Sequence, residues 1–100
     1  MRFKSQKHLS FIRDKACIVC NTKHAIQAHH LLKPWKGERG MGMKSSDHNV
    51  IPLCFTHHHE LHNTGDEYKF FEKRGLPENH GKNLARLYWL TSPAFGDDKK

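Results

Sequence analysis

The segment from Asn49 to His62 carries the densest group of metal-binding side chains in the sequence. Its fourteen residues, NVIPLCFTHHHELH, hold one cysteine and four histidines after a short apolar run. Cys54 and His57 form a Cys-x-x-His pair, and His58 and His62 are four residues apart. On a helix, residues four apart lie on one face, whereas adjacent residues point about 100° apart. One helix could therefore supply ligands to two different metal ions.

A second cysteine pair lies upstream, at Cys17 and Cys20, and is followed by the polar turn Asn21-Thr22-Lys23. A Cys-x-x-Cys pair that ends in a polar turn is typical of a zinc knuckle. Together with Cys54 and His57 it completes a Cys3His set, which is common in structural zinc sites. The alternative is a redox pair, which requires a βαβ setting and a helix that starts at the first cysteine. The polar turn after Cys20 argues against that alternative.

Two consecutive histidines, His29 and His30, lie in the apolar segment 25–32, which is predicted to be a strand. In a regular strand, adjacent side chains point to opposite faces. One histidine could then bind a metal while its neighbour has a different task. For an isolated pair, half-buried histidines bonded to the backbone are the more common outcome. Here His58 and His62 downstream favour the metal.

The composition indicates one small domain that needs additional stabilisation. Only 36% of the 100 residues are hydrophobic, so the apolar core is thin and a metal would help to hold the fold. Three cysteines, an odd number, argue against a disulfide framework. No signal peptide or membrane-spanning apolar run is evident, so we expect a cytoplasmic protein with no membrane partner. The net charge of +7 favours a polyanion such as nucleic acid, although it could serve solubility alone.

A long irregular segment, residues 33–47, separates the two predicted strands. It contains Pro34, three glycines and Trp35. Long loops in small domains are commonly functional, and cations in such a loop suit contact with a sugar-phosphate backbone. A tolerated surface insertion is the alternative. The candidate DNA-binding cations are Lys33, Lys36, Arg39 and Lys44.

Helices account for most of the remaining chain. The first is predicted to begin after a Ser5 cap and to run to about Asp14. Gly65 is a natural stop for the histidine-bearing helix, and Asp66 a natural cap for the next one. Four histidines are predicted to lie on the surface: His8, His24, His48 and His80. The predicted elements are a second strand over 49–53, helices over 55–63, 67–74 and 80–90, and a frayed tail after Pro93.

The order of these motifs resembles the His-Asn-His (HNH) endonuclease family. The matching stretches are AHH at 28–30, NVIPLC at 49–54 and the histidines within 58–62, and the two cysteine pairs resemble the zinc-stapled, treble-clef subgroup. The chain is also similar to small HNH-type proteins encoded by phages and prophages. The resemblance implies a small α+β fold, a ββα-metal finger with a structural zinc and extra flanking helices. Residues 1–100 would form one nuclease domain, with a core at 17–65, a helical extension at 66–92 and a frayed tail at 93–100.

The resemblance also assigns roles to individual residues. His30 would be the general base that deprotonates water, and Asn49 would orient its ring or hold the strand pair together, unless it is only a turn residue. Many HNH members carry Asp at the position of His29. Either His58 or His59 could pair with His62, and the cysteine spacing favours His58. The implied catalytic metal ligands are His29, His58 and His62, and the implied structural zinc ligands are Cys17, Cys20, Cys54 and His57.

The expected function is that of a metal-dependent DNA endonuclease of low sequence specificity, in phage or prophage DNA processing, recombination or packaging. One Zn2+ would be structural, and a second divalent metal would serve catalysis. Imidazole ligands suit zinc, nickel or copper, whereas the family resemblance implies Mg2+, Mn2+ or Ni2+. Two alternatives stay open. One is a non-catalytic, zinc-stapled nucleic-acid-binding module, and the other is a structural phage protein with two metal clips.

Overall fold

A computed structural model describes residues 3–37 and 44–99 of the chain. Over these residues the domain is a small α+β fold with one two-stranded antiparallel sheet and four α-helices. In the described part of the chain, no helix is long and apolar enough to cross a membrane. The elements are α1 (Gln6–Arg13), β1 (Ile26–His30), a 3-10 turn (Asp47–Asn49), β2 (Val50–Cys54), α2 (Phe55–Thr64), α3 (Glu67–Glu72), α4 (His80–Leu90) and a last 3-10 turn (Asp97–Lys99).

The sheet lies between two layers of helix. β1 and β2 pair so that Ile26 is opposite Cys54 and His30 is opposite Val50. Val50 packs with α1, whereas Ile51 belongs to the larger apolar cluster that includes α2, α3 and α4. Because successive strand residues point to opposite faces, both faces of β2 are covered. All five residues of β2 are buried for this reason.

The residues predicted to start and stop the helices do so in the structure. Ser5 caps α1 by accepting a hydrogen bond from the His8 amide, and Asp66 caps α3 through the Tyr68 amide. Gly65 ends α2 with a φ of 73°, in the left-handed region where glycine is free of side-chain strain. The four histidines that follow Cys54 are thereby held on one ten-residue helix.

The tail after Pro93 packs on the domain, which corrects the prediction of a frayed end. Ala94 is fully buried, and Phe95 contacts the ring of Trp89 at a centroid distance of 6.0 Å. Asp98 bonds the His48 ring at 2.8 Å and the Lys36 ammonium at 3.1 Å. The short tail is ordered because it covers buried aromatic surface and pairs its acidic end with basic groups.

Two of the four histidines predicted to lie on the surface are buried, namely His8 and His48. His24 is exposed as expected, and His80 is partly buried. The Trp89 ring meets the His8 and His48 rings edge-on, with centroids 5.1 Å and 4.7 Å away. The prediction fails because the ring that covers both histidines comes from α4, far along the chain.

The burial of His8 should make stability depend on pH. Burial is the main reason that the pKa of His8 falls from 6.5 to about 4, with Asp47 opposing the change and His48 adding to it. The unfolded chain takes up a proton near pH 6.5 while the folded chain stays neutral. The free energy of unfolding should therefore fall between about pH 6.5 and pH 4, by about 3 kcal/mol from this residue.

Urea unfolding at several pH values would test this. In His8→Gln, a non-titrating polar side chain can still reach Ser92, which bonds the His8 ring at 2.8 Å. The variant should show a shallower loss of stability below pH 6.5 than the wild type. Exposed His24 provides the matched control, because His24→Gln should keep the wild-type slope. Parallel curves for His8→Gln and wild type would contradict the prediction.

Candidate functional site

The four residues of the Cys3His set converge on one point. The ligand atoms of Cys17, Cys20, Cys54 and His57 all lie within 4.8 Å of one another. The sulfurs of Cys20 and Cys54 are 3.8 Å apart, and Nδ1 of His57 lies 3.2 Å and 3.8 Å from the sulfurs of Cys54 and Cys17. Four ligands at about 2.3 Å from a tetrahedral ion are roughly 3.8 Å apart. The donor set and its spacing therefore fit a structural zinc ion.

The local backbone around Cys17 and Cys20 has the form of a knuckle. The Val19 amide donates to the Cys17 sulfur at 3.4 Å, and the Asn21 amide donates to the Cys17 carbonyl at 2.9 Å. Asn21 has a φ of 64°, a conformation that asparagine tolerates better than most residues. No helix starts at Cys17 in the described chain, which argues against the redox alternative.

The pKa values of two of the cysteine thiols are shifted in opposite directions. Burial, the largest influence on Cys17, raises its pKa, but hydrogen bonds from backbone amides and from His57 outweigh it and lower the pKa to about 6. Burial raises the pKa of Cys54. Because the thiolate is the form that binds metals, the lowered pKa of Cys17 favours zinc binding near neutral pH.

A second cluster unites His29 with His58 and His62, again with ligand atoms within 4.8 Å of one another. His29 comes from β1, whereas the other two histidines lie one turn apart on α2. The Nε2 atoms of His58 and His62 are 3.0 Å apart. For metal–nitrogen bonds of about 2.1 Å, two ligand nitrogens lie roughly 3.0–3.4 Å apart. The structure selects His58 for this cluster, while His59 lies beside Phe55.

Polar side chains from other parts of the fold hold two of these rings. Buried Glu67 bonds Nε2 of His29 at 2.7 Å, and Gln27 bonds Nδ1 of His58. Such partners orient the ring of a metal ligand and set its tautomer. Glu67 also accepts the backbone amides of Leu32 and Lys33, at 2.7 Å and 3.1 Å. It thereby ties the end of β1 to the start of α3.

The local electrostatics favour the metal-binding form of His58 and His62. Burial, followed by the neighbouring His29 and His62, lowers the pKa of His58 to about 4. Burial and His29 also lower the pKa of His62. A neutral imidazole is the metal-binding state, so His58 and His62 are ready to bind a cation at neutral pH.

His30 is paired with a carboxylate that the sequence interpretation did not single out. Its Nε2 lies 2.7 Å from Oδ1 of Asp47, and the other carboxylate oxygen of Asp47 accepts the Ser5 amide at 2.7 Å. Asp47 is almost fully buried. The start of α1 therefore positions the partner of His30, a role for the N-terminal segment that no motif in the sequence indicated.

Asn49 holds backbone rather than the His30 ring. Its side-chain oxygen accepts the amides of Trp35 and Lys36 at 2.8 Å and 3.1 Å, and its amide group donates to the Lys36 carbonyl at 3.0 Å. Its own carbonyl accepts the Leu31 amide at 2.8 Å. Asn49 thus fastens the segment after β1 to the start of β2.

The described candidate DNA-binding cations are exposed, but two of them have partners within the chain. The Lys33 ammonium lies 4.2 Å from the centroid of the Tyr68 ring, and Lys36 pairs with Asp98. Lys44 is close enough to His58 to lower the pKa of that histidine. Arg39 lies outside the described residues.

The two-stranded sheet, the helices and the Cys/His cluster define the chain as a small α+β domain with a cluster that could bind a metal. Over residues 1–92 the sequence matches the family described as "Protein of unknown function (DUF968)", and the chain belongs to that family. It is similar to the "Uncharacterized protein YdfU" of Escherichia coli (strain K12), with 36% identity over 74 residues. That match covers 74% of this chain but 20% of the relative, so the chain spans about a fifth of the relative's length. No solved structure gives a significant match.

Proposed function

We propose that this domain is a metal-dependent DNA endonuclease of the HNH type, with the strand pair and α2 forming its ββα-metal finger. The observation that carries the proposal is the His30–Asp47 pair next to the cluster of His29, His58 and His62. A structural domain needs only the Cys3His site. A second, partly exposed histidine cluster beside a carboxylate-held histidine suits hydrolysis of a phosphodiester.

His30 would act as the general base. Since Asp47 engages Nε2 at 2.7 Å, Nδ1 is the ring nitrogen that would take a proton from water. The water oxygen then forms a bond to phosphorus while the bond from phosphorus to the 3′ oxygen breaks, and solvent supplies a proton to that oxygen. The carboxylate of Asp47 holds the required tautomer and stabilises the imidazolium that forms.

The three-histidine cluster would hold the second cation. When bound, a divalent metal supplies Lewis-acid stabilisation of the charge that builds on the phosphate and on the leaving oxygen. Glu67 and Gln27 orient two of the histidines in advance. His62 is exposed and leaves one side of the cluster open to a large substrate.

DNA is the proposed partner because the chain carries a net charge of +7 and exposed lysines near the site. Lysines that contact phosphates bind the DNA backbone and not the bases, which agrees with low sequence specificity. The resemblance to small phage-encoded proteins suggests DNA processing, recombination or packaging as the setting.

A plasmid-nicking assay tests the proposal directly. Zinc-loaded protein is incubated with supercoiled DNA and added Mn2+, Mg2+, Ni2+ or Zn2+, and at least one metal should produce nicked circles. Absence of cleavage with every metal, on both plasmid and single-stranded DNA, would overturn the nuclease assignment. Binding without cleavage would favour the zinc-stapled, non-catalytic module.

A metal-binding experiment isolates the second site from the reaction. His62→Ala should abolish the binding of the second metal, measured by titration calorimetry, because it removes one of three ligands from the open cluster. Its matched control is His59→Ala, another exposed histidine on α2, which should keep two metals per chain. Equal metal content in both variants would contradict the proposed ligand set.

A further inference from the structure

A large exposed aromatic side chain lies beside the proposed catalytic cluster. Phe55, the first residue of α2, is 60% exposed, although it follows a fully buried strand. Its ring is nearly parallel to that of His59, with an interplanar angle of 8° and centroids 6.2 Å apart. Both side chains are exposed on α2, and we call this pair of aromatic rings the Phe55 platform. This packing leaves most of the phenyl surface in water.

The platform is adjacent to the metal ligands by helix geometry. At 100° per residue, Phe55 and His59 form a stripe about 60° around the helix from the stripe of His58 and His62. Phe55 is three residues before His58, which is about 4.5 Å along the helix axis. His59 is close enough to His62 to influence its pKa. A group attached to a phosphate at the cluster could therefore reach the platform.

Phe55 also borders a cleft at the Cys3His site. Its volume is about 520 Å³, and its walls include the ligands Cys20, Cys54 and His57 as well as Thr22, His24 and Thr56. Hydroxyl and imidazole groups on the walls offer hydrogen bonds, while the phenyl ring offers an apolar face.

We propose that the Phe55 platform stacks an unpaired nucleobase next to the phosphate to be cut, which makes single-stranded DNA the preferred substrate. This inference rests on the proposed function. The net charge of +7 attracts the phosphates, and the platform adds contact with the base face. In duplex DNA the base faces are stacked on one another, so a side chain on the helix surface gains no such contact unless a base leaves the stack.

Binding measurements separate this inference from cleavage. Zinc-loaded protein without a second metal is titrated into a fluorescent single-stranded oligonucleotide and into its blunt duplex, with anisotropy as the readout. Phe55→Ala should weaken single-strand binding roughly 5- to 150-fold, which corresponds to the loss of about one stacked base. Duplex binding should change less than about twofold, since it depends on charge.

Two variants serve as matched controls. Phe55→Tyr keeps an aromatic face and should bind the single strand as the wild type does. Phe95 is also exposed, at 52%, but it belongs to the tail beside Trp89, so Phe95→Ala should leave binding unchanged. Circular dichroism and zinc content should be the same for all the variants, because the Phe55 ring lies mostly in solvent.

The outcomes distinguish the inference from the proposed function. If Phe55→Ala binds single strands as tightly as the wild type, or weakens single strand and duplex equally, the platform assignment is wrong. Loss of single-strand binding without cleavage by the wild type would support the platform and reject the nuclease. Cleavage by the wild type that does not depend on Phe55 would support the nuclease and reject the platform.

Discussion

Replacing His30 with alanine should reduce DNA cleavage by about 100- to 10,000-fold, the range typical of a lost general base. The expected reason is that no other described group occupies the place of the Asp47-bound imidazole. The measurement is the initial rate of plasmid nicking with the metal that best supports the wild type. Binding of DNA should persist, because the exposed lysines are unchanged.

A second substitution tests how the base is held. Asp47→Asn keeps the size of the side chain but can turn an N–H toward His30, which favours the wrong tautomer, and we expect a smaller loss of rate than in His30→Ala. Zinc content and thermal stability must be measured as well, since Asp47 also accepts the Ser5 amide. Wild-type nicking by folded His30→Ala would remove His30 as the base.

Replacing Cys54 with alanine should abolish both zinc binding and the folded state. A structural zinc site contributes about 10–16 kcal/mol in apparent binding free energy, which is comparable to the total stability of about 5–15 kcal/mol that is usual for a domain. Cys54 also belongs to the main core cluster. Metal analysis should find no tightly bound zinc, and circular dichroism should show loss of helix.

The control is a ligand of the other cluster. His58→Ala should keep one tightly held zinc per chain and a cooperative thermal transition, because its ring is not among the Cys3His ligands. A strong chelator should unfold both the wild type and His58→Ala, and added zinc should restore them. Retention of fold and zinc by Cys17→Ala would show that the Cys3His site is wrong.

The ligand pairs were predictable because their spacing is local. A Cys-x-x-Cys turn brings two sulfurs together within four residues, and the helical period places His58 and His62 on one face. The same locality made the helix caps at Ser5, Gly65 and Asp66 readable. These features depend on short-range backbone geometry, which composition and spacing largely determine.

The supporting groups could not be found in this way. Asp47 is 17 residues from His30, Glu67 is 38 from His29, and Gln27 is 31 from His58. The contacts form only after the sheet pairs and the helices pack on it, and no periodicity along the chain marks them. Glu60 on α2 likewise has a distant partner, since its carboxylate pairs with Arg74, 14 residues further along the chain.

By itself, the sequence determined which residues can bind metals and on which elements they lie. Only the tertiary structure decided how these residues are oriented, because orientation depends on side chains from distant segments. It selected His58 over His59 for the three-histidine cluster, buried His8 under Trp89 and ordered the tail through Asp98. It also left Phe55 exposed beside the cluster, because one face of α2 packs on the sheet while the opposite face remains in solvent.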